Sequence, residues 1–164
     1  MIEQKVIEDC MCVDKSKCGH PKEIIKCSKH KYVCGEGTCI FLNAYGLTKW
    51  YWLVRHIENF RLGRNVEIGN FTVIGCEYGV QIEDRVKIGY HCTIMSDSTI
   101  DNKKGPVLIK KGAKIGANTV IMPNIIIGAE AVIGANSFVN RNIPKKEVWA
   151  GTPVKKLNVK DKIE

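Results

Sequence analysis

Ile109-Lys110-Lys111-Gly112-Ala113-Lys114-Ile115-Gly116-Ala117-Asn118-Thr119-Val120-Ile121 decides how this chain folds. An isoleucine stands at every sixth position, and the step runs on through Ile127, Ile133 and Val139. Upstream it continues in two shifted registers: Leu62, Ile68 and Ile74, then Ile82, Ile88, Ile94 and Ile100. Two extra residues intervene between Ile74 and Ile82, and three between Ile100 and Ile109. Glycine follows the aliphatic at 63, 69, 75, 89, 116, 128 and 134. Four places after the aliphatic stands a small or β-branched residue, at Thr72, Cys92, Ser98, Thr119, Ile125, Ala131 and Ser137.

A period of six is not a helix period. It is three strand periods, and each step reads as one short strand and one sharp bend. Glycine, or Asn70, Asn118 and Asn136, suits a corner where φ is positive. The aliphatic points inward and stacks on its equivalents in the turns above and below. A single repeat cannot bury its own apolar face, so stability comes from stacked neighbours. The rival is a β-sandwich with accidental spacing, which thirteen aliphatic positions with glycine in phase disfavour.

These residues resemble the hexapeptide-repeat acyltransferases. The likeness covers 62–157 and is sharpest in Ile115-Gly116-Ala117-Asn118, Ile133-Gly134-Ala135-Asn136-Ser137 and the closing Val148-Trp149-Ala150-Gly151-Thr152-Pro153-Val154-Lys155. The branch most resembled is that of the galactoside and maltose O-acetyltransferases. The resemblance implies an all-β chain, a left-handed parallel β-helix of about four coils, assembled as a homotrimer that uses acetyl-CoA as acyl donor.

The reading divides the chain into a Cys/His-rich segment (1–46), a capping helix (47–61), the β-helix (62–140) and a C-terminal tail returning along the coils (141–164). Trp50, Leu53, Val54, Ile57 and Phe60 recur at helical spacing. A lid there would cover the open strand edges of the first coil. Asp97 to Leu108 is a longer departure from the coils. After Val139 the chain is expected to leave the helix through Ile143-Pro144.

The first 46 residues carry Cys10, Cys12, Cys18, His20, Cys27, His30, Cys34 and Cys39. Eight potential ligands would serve two tetrahedral zinc ions, and so short a segment needs a staple. An iron–sulfur cluster is the next reading. The formal net charge of +8 is concentrated in Lys103, Lys104, Lys110, Lys111 and Lys114, and in a second run beginning at Arg141. Such clusters suit a polyanion or a nucleotide cofactor. Nucleic acid is disfavoured because aromatics do not interleave with the basic runs. No stretch is long or apolar enough to span a membrane and no signal-peptide pattern opens the chain, so a cytoplasmic location is expected.

Acetyl transfer to a hydroxyl or amine needs a base at the acceptor, and neutral histidine is suited to it. In the resembled branch that histidine lies in the loop after the hexad that begins here at Ile94. Thr99 falls near its position, and no histidine follows His91. His91 is read as the one histidine within the coils, hence as the catalytic base by elimination. Glu77 lies near where the family places a substrate-contacting carboxylate, with Asp97 and Asp101 the remaining carboxylates. On the cofactor side the resemblance implies Ala117 and Ala135 against the pantetheine arm, Asn140 and Arg141 after the last full coil, and Lys155 for a phosphate. The expected function is an acetyl-CoA-dependent acyltransferase acting on a sugar or amino-sugar hydroxyl or amine. The alternative is a non-catalytic trimeric scaffold or metal-binding protein that has lost the histidine. A β-helical carbonic anhydrase needs three coil histidines and is set aside.

Overall fold

The computed structural model describes residues 52–158. The eight candidate zinc ligands, and 47–51 of the expected capping helix, lie outside the described residues.

The chain winds in five coils rather than about four, each built from short strands on three faces. The first coil holds β1 (Leu53–Arg55), β2 (Phe60–Leu62) and β3 (Glu67–Ile68). The second holds β4 (Val73–Gly75), β5 (Val80–Ile82) and β6 (Lys87–Ile88). The third begins with β7 (Thr93–Met95), leaves the track in a hairpin of β8 (Asp97–Ser98) and β9 (Lys103–Lys104), and resumes in β10 (Val107–Ile109) and β11 (Lys114–Ile115). The fourth is β12 (Val120–Ile121), β13 (Ile126–Ile127) and β14 (Val132–Ile133), and the fifth is β15 (Phe138–Val139) and β16 (Val148–Ala150). β17 (Lys155–Lys156) then turns back antiparallel on β16.

Every strand of the coils pairs in parallel with the equivalent strand one turn away. Face one is β1-β4-β7-β12-β15, face two is β2-β5-β10-β13, and face three is β3-β6-β11-β14-β16 with β17 at its edge. The register stacks Ile88, Ile115 and Ile133 on face three, and Ile82, Ile109 and Ile127 on face two. These isoleucines are buried, as the period of six requires. The small residues at the corner after face three also stack. Thr72 Oγ1 donates to Gly89 O at 3.1 Å, Cys92 Sγ to Gly116 O at 3.3 Å, and Thr119 Oγ1 to Gly134 O at 3.2 Å. Each side chain thus satisfies a carbonyl of the coil above, which is why polar residues are tolerated inside.

Four expectations are corrected. The span 53–62 is not helical: β1, a single 3-10 turn (Ile57–Asn59) and β2 replace the helix, and they form the first coil. The apolar spacing there serves pairing with β4 and β5, with Val54 and Phe60 in the core. Ile100 does not point inward; it is 96% exposed at the hairpin tip, because the chain has left the coil after Asp97. The chain does not leave the helix at Ile143-Pro144, since Ile143 bridges Ile127 and β16 pairs with β14. Finally, the repeated glycines are needed for room rather than for positive φ. A Cβ on Gly63 would lie 2.5 Å from Asp84 N, and one on Gly89 2.6 Å from Ala117 N. The left-handed corner positions are taken by other residues: Asn118 and Asn136 as expected, but Phe71 in place of Asn70.

Candidate functional site

The three corners separate the candidate residues. The corner between faces three and one carries, coil by coil, Phe71, His91, Asn118 and Asn136 in left-handed conformation. Backbone bonds tie the column together: His91 N donates to Asn70 O at 3.0 Å, Asn118 N to Tyr90 O and Asn136 N to Ala117 O, both at 2.9 Å. His91 is exposed, and its ring stacks on Phe71 with centroids 5.0 Å apart. Ala117 and Ala135 stand on this column. The Gly151-Thr152-Pro153 turn folds over its end: Gly151 N donates to Ser137 Oγ at 3.1 Å and Thr152 Oγ1 to Asn136 O at 3.1 Å. The Thr152–Pro153 bond is cis. Lys155 is exposed on β17; its neighbour Lys156 sits 2.6 Å from Glu147 Oε1 and holds that carboxyl below its usual range.

Glu77 lies elsewhere, at the corner between faces one and two. Asn140 and Arg141 follow β15 at that same corner, three coils further on, and both are exposed. One chain therefore gathers His91, Ala117 and Ala135 at one edge of face one, and Glu77, Asn140 and Arg141 at the other. It does not bring His91 and Glu77 together.

A histidine does stand beside Glu77. His56, the first residue after β1, has φ 52°. Its Nε2 lies 3.7 Å from Glu77 Oε1, and its Nδ1 lies 3.3 Å from Glu58 Oε1. Arg55 Nη2 reaches the same Glu77 oxygen at 3.8 Å. The premise that His91 is the one coil histidine thus fails, because the coils begin nine residues earlier than Leu62. Sequence reasoning missed His56 by assigning it to a helix. A signal was there: Val54, Ile74 and Ile94 are spaced by twenty residues and lie in register on face one.

The hairpin beside this corner is held by charge. Ser98, then Lys103, holds the Asp101 carboxyl down to about 2, with Lys103 Nζ at 2.9 Å. Lys104 Nζ lies 5.5 Å from the centre of the Tyr78 ring, and the Tyr78 hydroxyl, with Asp97 behind it, raises the lysine above its usual range. Asp97 Oδ1 is buried with no hydrogen-bond partner among the described residues. Burial, followed by the charges of Glu77 and Glu58, pushes the Cys76 thiol far up. It is a core residue and not a nucleophile. Among the described residues no group of three or more His, Cys, Asp or Glu side chains is arranged to hold a metal ion, and no helix is long and apolar enough to cross a membrane.

Comparison with known proteins agrees with this architecture. Residues 106–141 match the family described as bacterial transferase hexapeptide (six repeats). The galactoside O-acetyltransferase of Escherichia coli is 33% identical over 118 residues, covering 64% of this chain and 58% of that protein. A hexapeptide-repeat acetyltransferase of Vibrio cholerae, solved with acetyl coenzyme A, aligns with TM-score 0.62 at 28% identity, covering 65% of this chain and 63% of the other. A galactoside acetyltransferase solved with coenzyme A aligns with TM-score 0.60 at 28% identity, covering 65% and 58%. The chain thus spans less than two thirds of each of these proteins. The repeat and the parallel coils are those of a left-handed β-helix, and by these likenesses the chain is similar to the hexapeptide-repeat acyltransferases, the galactoside O-acetyltransferases among them.

Proposed function

We propose that this protein is an acetyl-CoA-dependent acyltransferase acting on a hydroxyl or amine of a sugar or amino sugar, working as a homotrimer. One observation carries the reading: the coil stack aligns with solved acetyltransferases that hold acetyl coenzyme A or coenzyme A. Ala117 and Ala135 then offer the pantetheine arm a corner without side-chain bulk, and Lys155 and Arg141 stand for its phosphates.

The two candidate edges of face one belong to different corners, so a site using both takes them from adjoining chains. Face one is suited to that contact. Its outward residues Leu53, Val73, Thr93, Val120 and Phe138 fall in register, and four of the five are apolar. Val73 and the adjoining Phe71 and Tyr90 are exposed in the single chain, as a surface awaiting a second copy would be. Light scattering is expected to give the mass of a trimer; a monomer across micromolar concentrations would remove the shared site.

Lys155→Ala is expected to weaken CoA binding by about tenfold in calorimetry, roughly the 1.4 kcal/mol of one charge-assisted contact to a phosphate. Added salt should weaken wild-type binding, since the charge pairs are exposed. Affinity unchanged in Lys155→Ala would remove the phosphate role. CoA binding without acetyl transfer to any sugar would favour the scaffold reading, to which the hairpin without a histidine also points.

A further inference from the structure

We propose that His56 is the general base of this acyl transfer, oriented by Glu58 and opposed by Glu77 at the corner between faces one and two. The inference rests on the acyltransferase reading above and assigns its proton chemistry.

The backbone fixes the residue. His56 adopts the left-handed conformation directly after β1, and its carbonyl accepts from Asn59 N at 2.9 Å. The imidazole stands outside the coil, about half exposed. Glu58 Oε1 lies 3.3 Å from Nδ1. A carboxylate can only accept, so Nδ1 carries the proton and Nε2 keeps its lone pair. A carboxylate holding the far nitrogen in this way fixes tautomer and orientation together.

Nε2 faces the second carboxylate. Glu77 Oε1 at 3.7 Å is beyond hydrogen-bond reach but within ion-pair range. Once Nε2 takes a proton, the imidazolium lies between two carboxylates, Glu58 and Glu77. Glu77 is itself held, with Arg55 Nη2 at 3.8 Å and with its Oε2 folded over Gly75, 2.9 Å from where a Cβ there would be. Asn59 Nδ2 donates to Glu77 O at 3.2 Å, and Tyr78 N donates to Ser96 Oγ at 2.9 Å. The corner is therefore braced from both adjoining coils.

Glu77 also lines a groove of about 600 Å³, whose walls include Asn59, Arg61, Tyr78, Gln81 and Asn124. Amide and guanidinium groups beside an exposed aromatic ring suit a polyhydroxylated acceptor. In the step itself the acceptor O–H or N–H gives its proton to Nε2 as the oxygen or nitrogen attacks the thioester carbonyl. The carbon–sulfur bond breaks, and the proton passes from the imidazolium to the departing thiolate, leaving acetylated acceptor and free CoA thiol. His91, on another corner with its ring against Phe71, takes no part in this chemistry.

The test uses the full chain with acetyl-CoA as donor and glucosamine, galactosamine or methyl β-galactoside as acceptor, following thiol release. His56→Gln is expected to lower kcat about a hundredfold or more while leaving CoA affinity and melting temperature unchanged. Glu77→Gln is expected to lower kcat by roughly tenfold with the donor KM unchanged. Turnover in His56→Gln equal to wild type, or lost instead in His91→Gln, overturns the assignment. A second readout needs no acceptor: diethyl pyrocarbonate should carbethoxylate His56 in the wild type, and saturating acetyl-CoA should slow this about tenfold or more. Modification of His56 unaffected by acetyl-CoA overturns the proposal. Wild-type protein that fails to bind CoA at all would overturn the acyltransferase reading first, and this inference with it.

Discussion

Replacing Ile115 by Asp is expected to cost several kcal/mol and to lower the melting temperature by more than about 15 °C. Ile115 is 4% exposed on β11, between Ile88 of the coil before and Ile133 of the coil after. The substitution removes roughly 1.5–3 kcal/mol of apolar burial and places an unpaired carboxylate in the stack. Folded domains hold only about 5–15 kcal/mol in reserve, so the mutant is expected to be largely unfolded or insoluble. Ile100→Asp is the matched comparison. Ile100 ends the preceding run of isoleucines at six-residue spacing but is exposed at the hairpin tip, so its change should stay within about 0.5 kcal/mol. Thermal unfolding of both proteins checks the pair. A soluble Ile115→Asp with the wild-type melting temperature would mean that the register is wrong.

Phe60→Ala is expected to cost about 3–5 kcal/mol, read as a lower urea midpoint with unchanged slope. Phe60 is fully buried on β2, where it pairs with Val80, which in turn pairs with Val107. On a lid helix its loss would loosen only the cover, with a smaller effect on the rest. On the first coil it removes a member of the continuous core, and the stacked coils lose a nearest-neighbour interface. A loss below about 1 kcal/mol would contradict the strand assignment for 60–62.

These two positions mark what was legible in the sequence. From Ile109 to Val139 each aliphatic reads directly as an inward position, because the chain there runs in unbroken steps of six and each corner closes within them. At the first coil the same geometry is disguised. Val54 and Leu62 are eight residues apart, as are Ile74 and Ile82, since the corner between faces one and two is longer than the others in these two coils. The apolar residues of 50–60 also satisfy a helical spacing, and a single sequence holds nothing to break that tie except the twenty-residue step to Ile74 and Ile94. The helical reading hid His56, the histidine that sits beside Glu77.

The hairpin was half legible. Gly105-Pro106 marks a break, but that Ser98, Lys103 and Asp101 would fold the break onto itself depends on contacts that no periodicity carries. The glycines were found for a reason that proved secondary. Their spacing is visible in the sequence, whereas the backbone of the next coil, which leaves no room for a Cβ at Gly89 or Gly116, is a property of the stack. Glu77 was placed at its corner by resemblance, yet its partners, Arg55 and His56, come from the coil below and could not be named until that coil was recognised.

Under the proposed function these coils present an acyl-CoA thioester to a sugar acceptor, and a calorimetric titration of the full chain with CoA tests that proposal most directly. Saturable binding is expected at micromolar to sub-millimolar concentration, about −5 to −8 kcal/mol, weakening as salt is added. No heat of binding with CoA at millimolar concentration would contradict it.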